Sequence, residues 1–382
     1  MSQLTSTSDS ILASGDQSAD FVELFFDLIF VFAITKITHL TAKNLDIPQI
    51  FQSLVVFWLI WWAWTQFTWT LNTANTRHHI VRLCTLIATG LAFVMATATD
   101  RAFDAGVLWF VIPYLAIKAL GAGLHFRVSP VEGGHRAAVA GFMILSVSGI
   151  VAIIAGAYSD PSVRAWWWLG AIILDLVTGF ISGRSQGWRM QPRHFAERHG
   201  LIVIIALGES LIVVASAIYG EHISQELIIS CLLAVLITCL LWWSYFAWIQ
   251  EHMEERLNKL KDAAQARLGR DAYSFIHFPM ICGIIGIAIG FEKILGHPHD
   301  PLSTQIAIAM GGGIVLFIGS TAASVWASSR TLLISRLLLL LILAVAIPAT
   351  IGRSPNLSLG LIVISLTFIN TLEWKKSRHF AK

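Results

Sequence analysis

Residues 21–40, FVELFFDLIFVFAITKITHL, form an apolar run long enough to cross a membrane as a helix. It nevertheless contains four ionisable residues, Glu23, Asp27, Lys36 and His39. Charged groups are unfavourable inside a bilayer, so those that occur there usually face a functional interior. Glu23 and Asp27 are four residues apart and share one helix face, whereas Lys36 points to the other side. The alternative is that Glu23 stabilises the helix N-terminus and that Lys36 extends to the far interface.

The composition of the whole chain supports a membrane protein. Of its 382 residues, 56% are hydrophobic and 13% are charged, whereas soluble domains carry roughly 25% charged residues. The chain is therefore predicted to be an all-α, polytopic integral membrane protein. The four cysteines lie in apolar runs and are expected to be packing residues without disulfides. The net charge of +3 is spread among loops, which predicts no nucleic-acid partner.

Counting about 20 apolar residues per helix predicts twelve membrane spans. They lie at about 21–40, 50–71, 80–99, 104–124, 137–158, 163–182, 200–219, 226–249, 274–295, 304–327, 331–350 and 356–373. Most Lys and Arg residues fall on the side of the even-numbered connections, which predicts that both termini are cytoplasmic.

The predicted organisation is two six-helix halves joined by a loop. The parts are a disordered cytoplasmic tail (1–20), a first half (21–182), a cytoplasmic loop (183–199), a second half (200–373) with a cytoplasmic amphipathic helix at about 250–271, and a basic cytoplasmic tail (374–382). A faint similarity between the halves suggests a 6+6 parallel internal repeat, an arrangement that several secondary transporters use.

Two further carboxylates lie deep in predicted spans, Asp175 in the sixth and Glu209 in the seventh. Together with Asp27 they place acids on three helices, roughly 9–15 Å from the predicted cytoplasmic ends. Such groups form proton relays and cation-coupling sites. The sequence therefore predicts a proton, cation or substrate path that includes Glu23, Asp27, Asp175 and Glu209. The alternative is a set of structural acids, each held by a partner such as Lys118 or by hydroxyl groups.

Aromatic and glycine patterns add weaker signals. The second predicted span carries Trp58, Trp62, Thr65 and Trp69 along one helix face, a stripe that either lines a cation site or packs against helices and lipid. Gly208 precedes Glu209 and is interpreted as a position of close helix approach or backbone irregularity. The pair Gly286 and Gly290 forms a small-residue contact pattern.

Enzyme signatures are missing from the sequence. It contains no G-x-x-x-x-G-K-[ST], H-E-x-x-H or G-x-S-x-G motif. The histidines lack the spacing and additional ligands of a zinc site. We therefore expect no metal and no cofactor, and a non-enzymatic role is favoured.

Five segments carry a resemblance to known proteins. They are VELFFDLIFVFAI at 22–34, WWAW at 61–64, HFAERHGLIVIIALGESL at 194–211, WWSYF at 242–246 and HFPMICGIIGIAIGFEKIL at 277–295. In this order they resemble the bacterial low temperature requirement A (LtrA) family. The resemblance implies a polytopic protein of the bacterial cytoplasmic (inner) membrane, while the family name refers to cold growth and not to a mechanism. It marks as family residues Glu23, Asp27, Glu197, Arg198, Gly200, Gly208, Glu209, His277, Pro279 and Glu292.

Two segments depart from the pattern of similar proteins. Relatives often have an aspartate-rich run after the second helix, where this chain reads NTANTRHH at 72–79. They also often have an aspartate where Ala247 follows WWSYF. Both departures fall at predicted cytoplasmic helix ends, so a binding or coupling role for those ends stays open.

The leading hypothesis is a proton-coupled secondary transporter or permease of a small solute, in contact with the lipid bilayer. A second hypothesis is a membrane sensor or binding protein in cold or envelope stress. A third is a membrane-embedded lipid-modifying enzyme with Glu197, Arg198 and His199 near the interface. The substrate, the coupling ion and homo-oligomerisation are left open by the sequence.

Overall fold

The computed structural model describes residues 10–13, 15, 17–129, 134–182, 188, 190–218 and 224–380, with side chains up to residue 375. The rest of the predicted tails and of loop 183–199 lies outside the described residues. Within the described part the chain forms fourteen α-helices, which confirms the all-α prediction. They are α1 (Phe21–Lys43), α2 (Ile47–Thr73), α3 (His79–Thr97), α4 (Leu108–Arg127), α5 (His135–Tyr158), α6 (Pro161–Ser182), α7 (Pro192–Ile218), α8 (Gln225–Phe246), α9 (Ile249–Lys259), α10 (Asp262–Leu268), α11 (His277–Gly296), α12 (Thr304–Ser329), α13 (Ile334–Ala346) and α14 (Pro355–Phe380).

Ten helical stretches among the described residues are long and apolar enough to cross a membrane, and each overlaps a predicted span. The other two predicted spans differ. Residues 21–40 lie in α1, which is outside this set, and residues 331–350 form the shorter α13 followed by a 3-10 turn at Pro348–Thr350. The chain is thus a multi-pass membrane protein, but twelve spans and the 6+6 repeat are not confirmed.

The chain divides into two compact units. The first contains residues up to Leu40, Asp46–His199 and Leu257–Arg270, and the second contains Thr41–Leu45, Gly200–Arg256 and the residues from Asp271 onward. The chain crosses between the two units five times, and one of these crossings lies within α7, between His199 and Gly200. The two predicted six-helix halves remain a prediction.

Capping side chains stabilise the N-terminal starts of the first two helices. Asp20 caps α1, because its Oδ1 accepts a hydrogen bond from the Val22 N–H, while Glu23 Oε2 accepts one from the Asp20 N–H at 3.0 Å. This reciprocal arrangement is a capping box with aspartate in the first position. Asp46 caps α2 through the Gln49 N–H at 2.8 Å. Both helix starts are therefore readable from the sequence.

Two predicted boundaries need correction. Loop 183–199 is shorter than predicted, because α7 begins at Pro192, a residue that suits the first turn of a helix. The amphipathic helix at about 250–271 is two helices, α9 and α10, with a break at residues 260–261. Its apolar stripe is buried at Met253, Leu257 and Leu268.

Within the second unit, α11 and α12 pack at close range through glycines. A Cβ atom added at Gly286 would lie 2.8 Å from the Ala309 carbonyl oxygen, and one at Gly290 would lie 2.7 Å from Met310 Cβ. The small-residue pattern is therefore a real contact. It extends to Gly283, where a Cβ atom would lie 2.6 Å from the Gly313 oxygen.

Candidate functional site

Five side chains from three helices of the first unit form one buried polar group, which we name the Arg198 cluster. Its members are Glu23 and Asp27 on α1, Trp64 on α2, and His194 and Arg198 on α7. All five are essentially inaccessible to solvent. The helical period explains the arrangement, because residues four apart lie on the same helix face, which applies to both Glu23 with Asp27 and His194 with Arg198.

The Arg198 guanidinium binds both carboxylates. Its Nη1 donates to Glu23 Oε1 at 3.1 Å, its Nε donates to Asp27 Oδ2 at 3.3 Å, and its Nη2 donates to Asp27 Oδ1. The Trp64 indole N–H donates to the same Asp27 oxygen at 2.8 Å, and the guanidinium carbon lies 5.8 Å from the centre of a Trp64 ring. A fully buried ion pair needs such additional donors, since burial removes water from every oxygen.

The hydrogen bonds of Asn72 determine the form of His194. The Gln191 backbone N–H donates to Asn72 Oδ1 at 2.7 Å, and Asn72 Nδ2 donates to the Gln191 carbonyl oxygen at 2.9 Å, so the orientation of this amide is fixed. The same Nδ2 faces His194 Nδ1 at 3.2 Å and must donate to it. Nδ1 is then an acceptor, and Nε2 carries the hydrogen that is shared with Glu23 Oε2 at 3.0 Å. In this geometry His194 is a neutral imidazole.

The charges of the Arg198 cluster do not balance. Two carboxylates face one guanidinium, and the neutral His194 adds no charge, so the cluster is one positive charge short. Unbalanced charge is strongly unfavourable where side chains are completely buried. One proton or one other cation would make the total charge of the cluster zero.

The comparisons with known proteins cover the part of the chain that contains these residues. A model of the bacterial low temperature requirement A protein (LtrA) matches residues 18–370. The chain belongs to this family. A relative from Rhizobium meliloti (strain 1021), described only as an uncharacterized protein, is 27% identical over 328 residues, which cover 82% of this chain and 78% of the relative. No solved structure matches the chain.

Three of the segments that resemble LtrA proteins build the Arg198 cluster. Residues 22–34 supply the two acids, residues 61–64 supply Trp64, and residues 194–211 supply His194 and Arg198. Glu197, from the third segment, is half-buried beside the cluster and accepts a hydrogen bond from the Ala19 N–H at 3.2 Å. The family residues Glu23, Asp27 and Arg198 therefore belong to one chemical site, and Glu197 lies beside it.

The other two LtrA segments meet within the second unit. The Tyr245 hydroxyl donates to His277 Nε2 at 2.9 Å, because His277 Nδ1 donates to the Ala272 carbonyl oxygen at 2.8 Å. The Tyr273 ring stacks on His277 with centroids 5.3 Å apart. The predicted site residue His277 is thus buried in a hydrogen-bonded aromatic contact.

A second buried polar group in the first unit contains the predicted site residue Asp175. Its carboxylate on α6 interacts with the Lys118 ammonium on α4 and with the indole N–H groups of Trp58 and Trp62 on α2. Tyr114 lies close enough to interact electrostatically with the same carboxylate. We name these five residues the Asp175 site. The sequence offers Lys118 as a partner for a buried acid, and the Lys118 ammonium also lies over a Trp62 ring, 5.9 Å from the centroid.

The tryptophan stripe therefore has two environments. Trp58 and Trp62 stack with centroids 5.6 Å apart and face Asp175. Trp69 packs instead against Trp188 and Phe195, at 5.6 Å and 4.9 Å. The cation-site interpretation fits the first two tryptophans, and the packing interpretation fits the third.

The remaining predicted site residues lie in the second unit. Glu209 is buried on α7 with 1% of its surface exposed, and Glu292 is half-buried on α11. A Cβ atom added at Gly208 would have no neighbour within 4 Å, so close helix approach does not explain this glycine.

Sequence reasoning missed another buried ion pair, which we name the Arg336 cluster. Arg336 on α13 donates from Nε and Nη2 to Glu373 on α14 at 2.9 Å and 2.7 Å. Arg336 also donates to Thr321 and to the Ser244 carbonyl oxygen, and the Trp248 indole N–H donates to Glu373 at 3.1 Å. The available signal was Arg336 itself, a charge that interrupts an apolar run.

Proposed function

We propose that this LtrA-family protein is a secondary transporter or permease of the bacterial cytoplasmic membrane that couples the movement of a small solute to protons. The proton-binding site is the Arg198 cluster. Both termini are cytoplasmic, and Asp175 and Glu209 are further acids on the path. Proton coupling through membrane-buried carboxylates is a known use of such residues.

The observation that carries the proposal is the charge count of the Arg198 cluster. Glu23 and Asp27 supply two negative charges to one arginine, and all three side chains are fully buried. One proton makes the cluster neutral. A structural ion pair would need only one of the two acids, so the second acid is the reason to assign a function that involves protons.

Binding of that proton changes a contact between helices. If His194 Nδ1 accepts the proton, it becomes a donor that faces the Asn72 Nδ2 donor at 3.2 Å. Asn72 cannot reverse its amide without losing both bonds to Gln191. Protonation therefore breaks the contact between Asn72 on α2 and His194 on α7, while the charged imidazole keeps its bond to Glu23. This is a local, two-state element that a transport cycle requires.

The test is proton movement across proteoliposomes that contain the purified protein, an entrapped pH dye, an imposed potential and a panel of small solutes. We expect a solute-dependent proton flux in the wild-type protein that is lost in Asp27→Asn and in Glu209→Gln, although both variants fold and insert. The matched control is Asp46→Asn, because asparagine caps a helix as well as aspartate does.

The outcomes separate the hypotheses. Normal coupled flux in both acid variants would refute the proposed proton path. A flux that does not depend on any solute would indicate a channel. No flux under any condition would favour the sensor hypothesis or the lipid-modifying enzyme, and lipid turnover that is lost in His199→Ala would decide for the enzyme.

A further inference from the structure

The Asp175 site has the composition of a binding site for an organic ammonium ion. The Lys118 ammonium lies 5.9 Å from the centroid of a Trp62 ring and interacts electrostatically with Asp175. The same carboxylate interacts with Trp58, Trp62 and Tyr114, and each of these side chains is at most 6% exposed. Aromatic faces attract ammonium groups through their electron-rich surfaces. A hard cation such as Mg²⁺ or Ca²⁺ takes six or more oxygen ligands, and this site supplies one carboxylate.

Gly149 on α5 packs directly against the Asp175 carboxylate. A methyl group at position 149 would lie 3.2 Å from Asp175 Oδ1, closer than most carbon contacts in proteins. Any larger residue at this position would crowd that oxygen. The site therefore combines a charge on α6, aromatic faces on α2 and a close glycine contact from α5.

We infer that the Asp175 site binds a small primary amine, as its ammonium ion, in place of the Lys118 side chain. This inference rests on the proposed function and adds a substrate class to it. Lys118 holds the site as a tethered alkylammonium when no solute is present. The solute is an untethered group of the same chemistry.

The exchange balances in charge and atoms. When the Lys118 ammonium releases its proton to water, the lysine becomes a neutral amine and the site loses one positive charge. An incoming alkylammonium ion restores that charge beside Asp175. Each bound amine thus corresponds to one released proton, and the bonds of the amine itself do not change. The titratable groups at this site are Asp175, Lys118 and Tyr114.

Helix α2 connects this site with the Arg198 cluster. Trp62 and Trp64 are two residues apart and point to opposite sides of the helix. Trp62 contacts the Asp175 site, and Trp64 donates to Asp27. Any shift of α2 that follows proton binding at His194 changes the tryptophan wall of the amine site.

The first experiment tests the site without transport. Lys118→Ala leaves Asp175 buried without its cation, so the purified variant should melt several degrees below the wild-type protein. We use n-butylammonium chloride as the probe, because it reproduces the whole lysine side chain from Cβ to Nζ in length and charge. It should restore most of the lost melting temperature with saturable dependence, whereas the isosteric neutral probe n-butanol should not.

Two variants serve as controls for the rescue. Lys118→Ala combined with Asp175→Asn removes the charge that attracts the amine, and n-butylammonium should have no effect on it. Lys36→Ala removes a lysine that also lies over an aromatic ring, that of Phe32 at 5.6 Å, but on a partly exposed helix face. Rescue of Lys36→Ala, equal rescue of the double variant, or no rescue of Lys118→Ala would each overturn the inference.

The second experiment tests exchange in proteoliposomes, with protein-free liposomes to measure amine leakage through lipid. An n-butylammonium gradient should drive protons in the opposite direction through the wild-type protein, and Gly149→Ala should reduce this flux at least several-fold. Proton flux with other solutes but none with n-butylammonium would refute the amine and leave the proton-coupled function standing. Rescue of Lys118→Ala without any wild-type flux would retain the ammonium site and refute the transport function.

Discussion

The Arg198 cluster and the Arg336 cluster use the same chemistry with different charge. In each, an arginine guanidinium binds a carboxylate, and a tryptophan indole N–H donates to the same carboxylate. The guanidinium carbon lies 5.8 Å from the centroid of a Trp64 ring in the first cluster and 5.9 Å from that of a Trp248 ring in the second. The Arg336 cluster has one acid and is neutral. The Arg198 cluster has a second acid and a histidine, and is one positive charge short.

The difference separates a structural ion pair from the proposed proton-binding site. The carbonyl of Ser244 and the hydroxyl of Thr321 accept two further hydrogen bonds from Arg336, so four of its five N–H groups are paired and its charge is balanced by Glu373. Glu23 has no counterpart there. Substitutions in the two clusters should therefore have unequal effects, and the following predictions begin with the largest.

Loss of the arginine should have the largest effect and should be larger in the Arg198 cluster. Removal of one partner of a buried ion pair costs about 3–5 kcal/mol, because it leaves an uncompensated charge. Arg336→Gln leaves one such carboxylate, whereas Arg198→Gln leaves two. Equilibrium unfolding of the purified proteins in detergent should rank them in that order.

The pH dependence of these two variants provides the control. Acid neutralises the stranded carboxylates in the folded state, so the folded variants bind more protons than the unfolded ones and gain stability as the pH falls. The gain should be larger for Arg198→Gln, in which two acids are neutralised. Equal stability and equal pH dependence would show that the second acid is not coupled to Arg198.

Neutralising one glutamate should separate the clusters most clearly. Glu373→Gln leaves Arg336 buried without a counter-ion and should cost about 3–5 kcal/mol. Glu23→Gln leaves Arg198 paired with Asp27, so the charge balances without a proton. The loss should be about 1–3 kcal/mol, because the glutamine NH2 group faces a donor at whichever carboxylate oxygen it replaces. Unfolding in detergent measures both. A loss for Glu23→Gln as large as that for Glu373→Gln would contradict the charge count.

The indole donors allow a smaller comparison. Trp64→Phe and Trp248→Phe each remove one hydrogen bond to a carboxylate, and hydrogen bonds to charged groups contribute about 1.5–3 kcal/mol. Trp64 should be the more important, because its bond is shorter, 2.8 Å against 3.1 Å, and Asp27 is fully buried whereas Glu373 is 7% exposed. Equal losses would mean that burial does not distinguish the two carboxylates. The control is the unfolding of Trp61→Phe, which leaves the Trp64 and Trp248 N–H donors in place.

The sequence was sufficient for the helices and for most members of the main site. Apolar length and the helical period located ten of the spans, and the spacing of Glu23 and Asp27 placed both acids on one buried face. The sequence predicts a loop at His194 and Arg198, because their polar segment precedes the apolar run of the seventh predicted span. Pro192 and the four-residue spacing on α7 were the signals that could have placed them on a helix.

The partnerships between helices were beyond the sequence. Lys118 and Asp175 are 57 residues apart in the chain, and no local pattern distinguishes a paired acid from a proton-binding one. Arg336 and Glu373 lie on adjacent helices, but an interrupted apolar run predicts only a weak span. Charge balance became visible only when the tertiary contacts of each acid were known.

The smallest expected effect concerns Asn72, which opens the segment where this chain departs from its relatives. Asn72→Ala removes the donor that faces His194 Nδ1 and frees this nitrogen to accept a proton. The loss of stability should be about 1–2 kcal/mol, because partly buried Gln191 groups lose their partners. The pH dependence of the proton flux should move toward higher pH, because the proton no longer competes with the Asn72 hydrogen bond for this nitrogen.

The matched control for this shift is Asn75→Ala. The Asn75 side chain donates to the Ser10 carbonyl oxygen at 2.8 Å in the same segment, at an exposed position. It should leave the pH profile unchanged. A profile that is unchanged in Asn72→Ala as well would place the proton on Glu23 or Asp27 instead of His194, and any break of the contact between Asn72 and His194 would then need another cause. A shift confined to Asn72→Ala would identify this amide as the group against which the proton competes.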